Sequence, residues 1–101
     1  MLLLSLLLAT AGAPSMAPAV QIKNDAFVPP SVTVAAGQSV TFTNNDDDAH
    51  TVTATDGSFD SKGLDTNGSW HHTFVKPGVY KYFCELHPFM KGTIVVKGAV
   101  Q

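Results

Sequence analysis

Apolar and polar positions alternate with a period of two in short runs, and clusters of Gly, Pro, Asn and Asp separate the runs. That pattern predicts half-buried β-strands joined by turns. VQIKNDAFV (20–28) reads as a first strand, stopped by Pro29-Pro30. SVTVAAGQSVTFTN (31–44) reads as two strands around a turn at Ala36-Gly37, with Val32 and Val34 facing one way and Val40 and Phe42 doing likewise. NNDDDA (44–49) is a polar loop, HTVTAT (50–55) a strand, and DGSFDSKGLDTNG (56–68) a long irregular connection. SWHHTF (69–74) is a strand, Lys76-Pro77-Gly78 a turn, and VYKYFC (79–84) and GTIVVK (92–97) complete the set. Seven or eight strands with turns roughly every ten residues fit an all-β sandwich. No internal repeat and no amphipathic helical period stands out.

Alternation also assigns sides. Tyr80, Tyr82 and Cys84 share a face opposite Lys81. Since Lys81 belongs in water, Cys84 points inward. Trp70, His72 and Phe74 share a face opposite His71 and Thr73, and the two aromatics mark that face as core.

The first 19 residues break the pattern. Leu2 to Ala9 is an apolar run interrupted only by Ser5, and small residues and prolines follow. This is the layout of a secretory signal peptide, and the run is too short for a bilayer span, which needs about 20 apolar residues. Cleavage is expected after Ala19, with Ala11-Gly12-Ala13 as the alternative. No Lys or Arg precedes the run, which leaves room for a start further upstream. Residues 20–101 are then read as a single domain, exported to the periplasm or secreted. A body of that size is near the lower limit for a self-sustaining core. The chain's one cysteine, Cys84, cannot form an internal disulfide. In an exported chain it is an intermolecular bridge, a reactive thiol or a metal ligand. Net charge is only −2 and no basic run occurs, which argues against nucleic acid and anionic membrane surfaces as partners.

The chemistry concentrates in YFCELHPFMKG (82–92), where Cys84, His87 and Met90 follow one another at three-residue spacing. An inward cysteine at a strand end is often a small buried hydrophobe. That reading does not account for an imidazole and a thioether in the same tight loop. Thiolate, imidazole and thioether form a soft donor set that suits copper better than magnesium, calcium or manganese. Zinc accepts Cys and His but rarely Met. A His-His-Cys set with a weak axial Met needs one more histidine. His50, His71 and His72 are the candidates. His50 is favoured because it opens a strand directly after a polar loop, at the end of the sandwich. His71 reads as a surface residue and His72 as a buried core histidine.

An isolated histidine, a Pro-Gly turn and Y-x-Y-x-C-x2-H-x2-M-x-G-x-I-x-V resemble the cupredoxins, the type 1 blue copper proteins. VYKYFCELHPFMKGTIVV is similar to amicyanin and the short-loop plastocyanin-like members, and AFVPPSVTVAAGQSVTFTN upstream extends the likeness. The resemblance implies a Greek-key sandwich, one type 1 copper per chain, His50, Cys84 and His87 as equatorial ligands, and Met90 as the axial one. It implies an electron carrier rather than an enzyme. Three positions depart from the pattern. Thr51 follows the first histidine where many members have an asparagine that ties the two ligand segments together. Leu86 precedes the second histidine where amicyanin has proline, which restores an amide N–H. His72 replaces a core leucine.

Four ligands leave no open position for substrate, which fits a shuttle between an electron donor and acceptor such as a c-type cytochrome or a dehydrogenase. A monomer with no membrane span in the mature part is expected. His87, in mid-loop, is the expected exit for the electron, with Pro88, Phe89, Leu86 and Pro29-Pro30 either an apolar collar around it or loop-packing residues; residues 45–48 read first as a solvated turn, with negative charge near that end as the alternative. The alternative is a copper carrier or storage protein, which the scarcity of methionine disfavours: only Met1, Met16 and Met90 occur.

Overall fold

The computed structural model describes residues 17–98. It holds eight strands: β1 (Ala19–Lys23), β2 (Ala26–Val28), β3 (Ser31–Ala35), β4 (Ser39–Asn44), β5 (Thr53–Ala54), β6 (Ser69–Thr73), β7 (Gly78–Phe83) and β8 (Lys91–Lys97). They form two four-stranded sheets, ordered β2-β1-β4-β6 and β3-β8-β7-β5. Each sheet is mixed: β1 runs parallel to β4, and β3 parallel to β8. Only β1–β2 and β7–β8 are neighbours both in a sheet and in sequence, so most connections cross from one sheet to the other. The residues of the leader reading before Ala17 lie outside the described residues.

The expected first strand is a hairpin. Asn24 and Asp25 both adopt the left-handed conformation, with φ of 52° and 55°. Two central residues at positive φ make the type I′ turn whose twist suits a two-residue hairpin. Register explains the break. A straight strand would place Phe27 opposite Val20 and Ile22. The turn instead pairs Ile22 with Phe27, so all three face the core.

The turn at Ala36-Gly37 occurs as expected, with Gly37 at φ 95°, but β3 and β4 are not partners. The chain passes there from one sheet to the other. The strand expected over residues 50–55 shrinks to Thr53–Ala54. Its backbone bonds instead to the irregular connection: His50 and Leu64 exchange N–H and C=O, the Ser61 amide donates to the Val52 carbonyl, and the Ala54 amide donates to the Phe59 carbonyl. Thr51 through Ala54 are buried without alternation because that connection covers the segment as well.

The core lies between the sheets. Val20, Ile22, Phe27, Val40 and Phe42 face Val34, Tyr82, Ile94 and Val96. Burial of each large apolar side chain contributes about 1.5–3 kcal/mol. Tyr82 is the centre of this packing, edge-on to Phe27 at 4.7 Å and to Phe42 at 5.5 Å between ring centroids. Its cross-strand partner is Gly92, where a Cβ would overlap the Tyr82 ring. A glycine is needed there for close approach. The Tyr82 hydroxyl is the one buried side-chain polar atom without a partner among the described residues, and burial raises its pKa far above the ordinary phenol value.

Trp70 and His72 face inward as expected but are only half-buried, because β6 is an edge strand. Phe59, from the irregular connection, covers them together with Phe74. His72 stacks on Trp70 at 5.6 Å and lies 4.9 Å from Phe59 and 4.8 Å from Phe74. Burial lowers the His72 pKa below the ordinary histidine value of 6.5. No helix among the described residues is long and apolar enough to cross a membrane.

Candidate metal centre

Strand β7 runs straight into the loop from Cys84 to Met90, which a set of short bonds closes. The His87 amide donates to the Cys84 carbonyl at 3.2 Å, the Met90 amide to the His87 carbonyl at 2.8 Å, and the Cys84 amide to the Met90 carbonyl at 3.2 Å. This winding brings the side chains of Cys84 and His87 together. Cys84 and Met90 are buried, while His87 is half-buried between exposed neighbours.

His50 arrives from the other side of the sandwich end. Its entry is set by Asn44, which is fully buried at the end of β4. The Asn44 side-chain amide donates to the carbonyls of Asp48 and Leu64 at 2.8 Å each, and its oxygen accepts from the Asp46 amide at 2.9 Å. One side chain thereby shapes the polar loop that delivers His50. Among the described residues, His71 is exposed on β6 and His72 belongs to the aromatic cluster, so neither joins the site.

The donor atoms of His50, Cys84 and His87 all lie within 4.8 Å of one another. Cys84 Sγ is 3.6 Å from His50 Nδ1 and 3.7 Å from His87 Nδ1. An ion bonded at about 2.0–2.3 Å to imidazole nitrogen and thiolate sulfur separates such donors by roughly 3.6–3.8 Å. The spacing therefore fits one metal ion, and the sulfur-nitrogen donor set fits copper. Met90 stands buried at the end of the same loop.

Thr51 ties the segment of His50 to that of Cys84. Its amide donates to Cys84 Sγ at 3.3 Å, and its hydroxyl accepts from the Glu85 amide at 2.8 Å. The hydroxyl also meets that of Thr53 at 2.9 Å. The Leu86 amide makes no bond to the sulfur among the described residues.

The far edge of the His50 ring meets two carboxylates, Asp46 from the polar loop and Asp25, which sequence reasoning did not single out. Nε2 lies 2.9 Å from Asp46 Oδ2 and 3.5 Å from Asp25 Oδ1. The Asp46 carboxylate also accepts the amides of Asn24 at 2.7 Å and Asp25 at 2.9 Å. The Asp25 amide foremost, then the Asn24 amide and the His50 ring, lower the Asp46 pKa below the usual carboxylate value, against the opposing effect of burial. Asp25 and Asp48 also approach His87, the three groups offering ligand atoms within 4.8 Å of one another. Negative charge thus lies beside both histidines, so the loop of residues 45–48 is more than the solvated turn favoured from sequence, and Asp25 is an unexpected addition. The Asn-Asp pair in an alternating run was the available signal, since it is a two-residue hairpin turn that folds β2 back beside this loop.

The family model for the cupredoxin-like domain matches residues 1–96. Amicyanin-alpha of Methylorubrum extorquens is 36% identical over 90 residues, which cover 84% of this chain and 76% of that protein. Amicyanin of Paracoccus versutus is 32% identical over 94 residues, covering 88% of this chain and 71% of that protein. The crystal structure of amicyanin from Paracoccus versutus superposes with a TM-score of 0.74 at 29% identity, covering 86% of this chain and 87% of that one.

Proposed function

The chain belongs to the cupredoxin family, and from that premise we propose that it is a small blue-copper electron carrier, not an enzyme, with one type 1 copper held by His50, Cys84, His87 and Met90. The observation that carries the ligand assignment is the convergence of Cys84 Sγ with the Nδ1 atoms of His50 and His87 at 3.6 and 3.7 Å. Bound copper supplies the reversible one-electron change between Cu(II) and Cu(I). The protein's part is to hold the donors still. His50 is fixed by its backbone exchange with Leu64, Cys84 by the end of β7 and the Thr51 amide, and His87 and Met90 by the closed loop. Rigid donors keep the rearrangement that accompanies electron transfer small. With Met90 completing the set, no donor position is left for a substrate.

The electron's route outward follows from exposure. His50 and Cys84 are fully buried, whereas His87 reaches the surface beside Phe89, 6.1 Å away between ring centroids. Redox proteins, such as a c-type cytochrome or a dehydrogenase, are proposed to dock there on a monomeric carrier. Export to the periplasm, or secretion, rests on the leader-like residues 1–19. Pro18 and Ala19 already take part in the sandwich, through the Thr41 amide on the Pro18 carbonyl and the pairing of Ala19 with Thr41. Cleavage after Ala19 forgoes those contacts, and cleavage at the Ala13 alternative keeps them.

Adding copper(II) to the purified protein tests the reading. An intense visible band, bleached reversibly by ascorbate, is expected. Cys84→Ser should abolish it, because a hydroxyl supplies no soft thiolate. His50→Ala should weaken copper binding, and His71→Ala should leave it unchanged. A colourless complex with copper(I) alone would instead favour a copper carrier. A blue His50→Ala together with a bleached His71→Ala would overturn the ligand assignment.

A further inference from the structure

Asp46 lies outside the donor set yet touches it. Its carboxylate accepts the Asn24 amide on Oδ1, and both the Asp25 amide and His50 Nε2 on Oδ2. Its own amide is held by Asn44 Oδ1, and its carbonyl accepts the Thr66 hydroxyl at 2.7 Å. Every polar atom of the residue is thereby engaged, and the side chain has one available direction, onto the outer edge of the His50 ring. The amides that aim it come from the turn between β1 and β2, an element that supplies no donor to the metal centre.

Two physical consequences follow. A carboxylate on Nε2 keeps the ring proton there and leaves the Nδ1 lone pair facing Cys84 Sγ. The same contact raises the basicity of a ligating imidazole and places negative charge behind it. Both effects favour the more highly charged Cu(II) over Cu(I). We infer that Asp46, aimed by the β1–β2 turn, is a positioning residue for His50 that lowers the reduction potential of the centre. The inference rests on the copper assignment above.

The test compares two charge removals in one loop. Asp46→Asn takes away the charge that touches His50. Asp47→Asn takes away an equal charge on an exposed neighbour that is not among the carboxylates bonded to the ring. In copper-loaded protein, Asp46→Asn should weaken Cu(II) binding relative to Cu(I) by about tenfold or more, and each tenfold raises the potential by about 59 mV. Asp47→Asn should shift it far less. Equal shifts in the two variants, or none, would overturn the inference. A second measurement needs no variant. In the diamagnetic Cu(I) protein, the His50 Nε2 proton and the Asp25 amide proton share Oδ2 and should give a nuclear Overhauser cross-peak. An assigned Nε2 proton without that cross-peak overturns the geometry even if Asp46→Asn does not fold. A wild-type protein that stays colourless with copper(II) would count against the copper reading itself. The same cross-peak, sought then in metal-free protein, still decides whether Asp46 holds His50.

Discussion

Thr51 carries two jobs with different atoms. Its amide reaches Cys84 Sγ, which any residue other than proline could supply, while its hydroxyl accepts the Glu85 amide and so holds the start of the ligand loop. Thr51→Val keeps the shape and the amide but removes the acceptor. It should cost about 1 kcal/mol in denaturant unfolding while the visible band of the copper protein stays nearly intact. Unchanged stability would mean that the hydroxyl does not hold the loop. At this scale the proposed donors were legible, because Cys84, His87 and Met90 have few other reasons to share one loop. Their supports were not. Asn44, Asp25 and Asp46 look like ordinary loop polars, and their roles arise from contacts up to 25 residues apart, as between Asp25 and His50 (50 − 25).

Among the elements, β6 shows most plainly what alternation can and cannot say. It placed Trp70, His72 and Phe74 on the inner face, and they lie there. It could not show that β6 is an edge strand, so that Phe59 must cover His72 from the irregular connection. Burial among aromatic rings lowers the His72 pKa, so the unfolded chain takes up a proton here at higher pH than the folded one. The contribution of this residue is full above the ordinary value of 6.5 and is lost as pH falls below it toward the folded pKa. Thermal unfolding of metal-free protein between about pH 8 and pH 5 should show this decline, and His72→Phe should flatten it. A wild-type slope matched by His72→Phe would remove His72 from the account. The hairpin of β1 and β2 makes a similar point. Hydrophobic alternation through Asn24 and Asp25 looked continuous, and only the two positive φ values restore Phe27 to the core side.

For the whole molecule, the end carrying His87 combines two unlike surfaces. Leu86 and Phe89 are 57% and 69% exposed, and Asp25 and Asp48 approach His87 from the loops at the end of the other sheet. A partner docking there removes apolar surface from water and meets negative charge on one side. Phe89 gives no donor atom, so Phe89→Glu should leave the visible spectrum nearly intact. It should slow electron self-exchange, measured by NMR line broadening in mixtures of oxidised and reduced protein, because a carboxylate must be desolvated at the contact. An unchanged rate would move the docking surface away from Phe89, toward the acidic loop before His50.

The sequence alone determined the all-β class, most strand positions, the inward side of Cys84 and the copper-binding character of its loop. These depend on local periodicity and on donor chemistry within seven consecutive residues, and both can be read along a line. The tertiary structure decided that β3 and β4 part into different sheets, that residues 50–55 pair chiefly with the irregular connection, and that Thr51 bonds both Cys84 Sγ and the Glu85 amide. It also decided that Asp46 faces His50. Each of these depends on which distant backbone groups satisfy one another once the two sheets close, and hydrogen-bond partners across the sandwich leave no periodic trace in the order of residues.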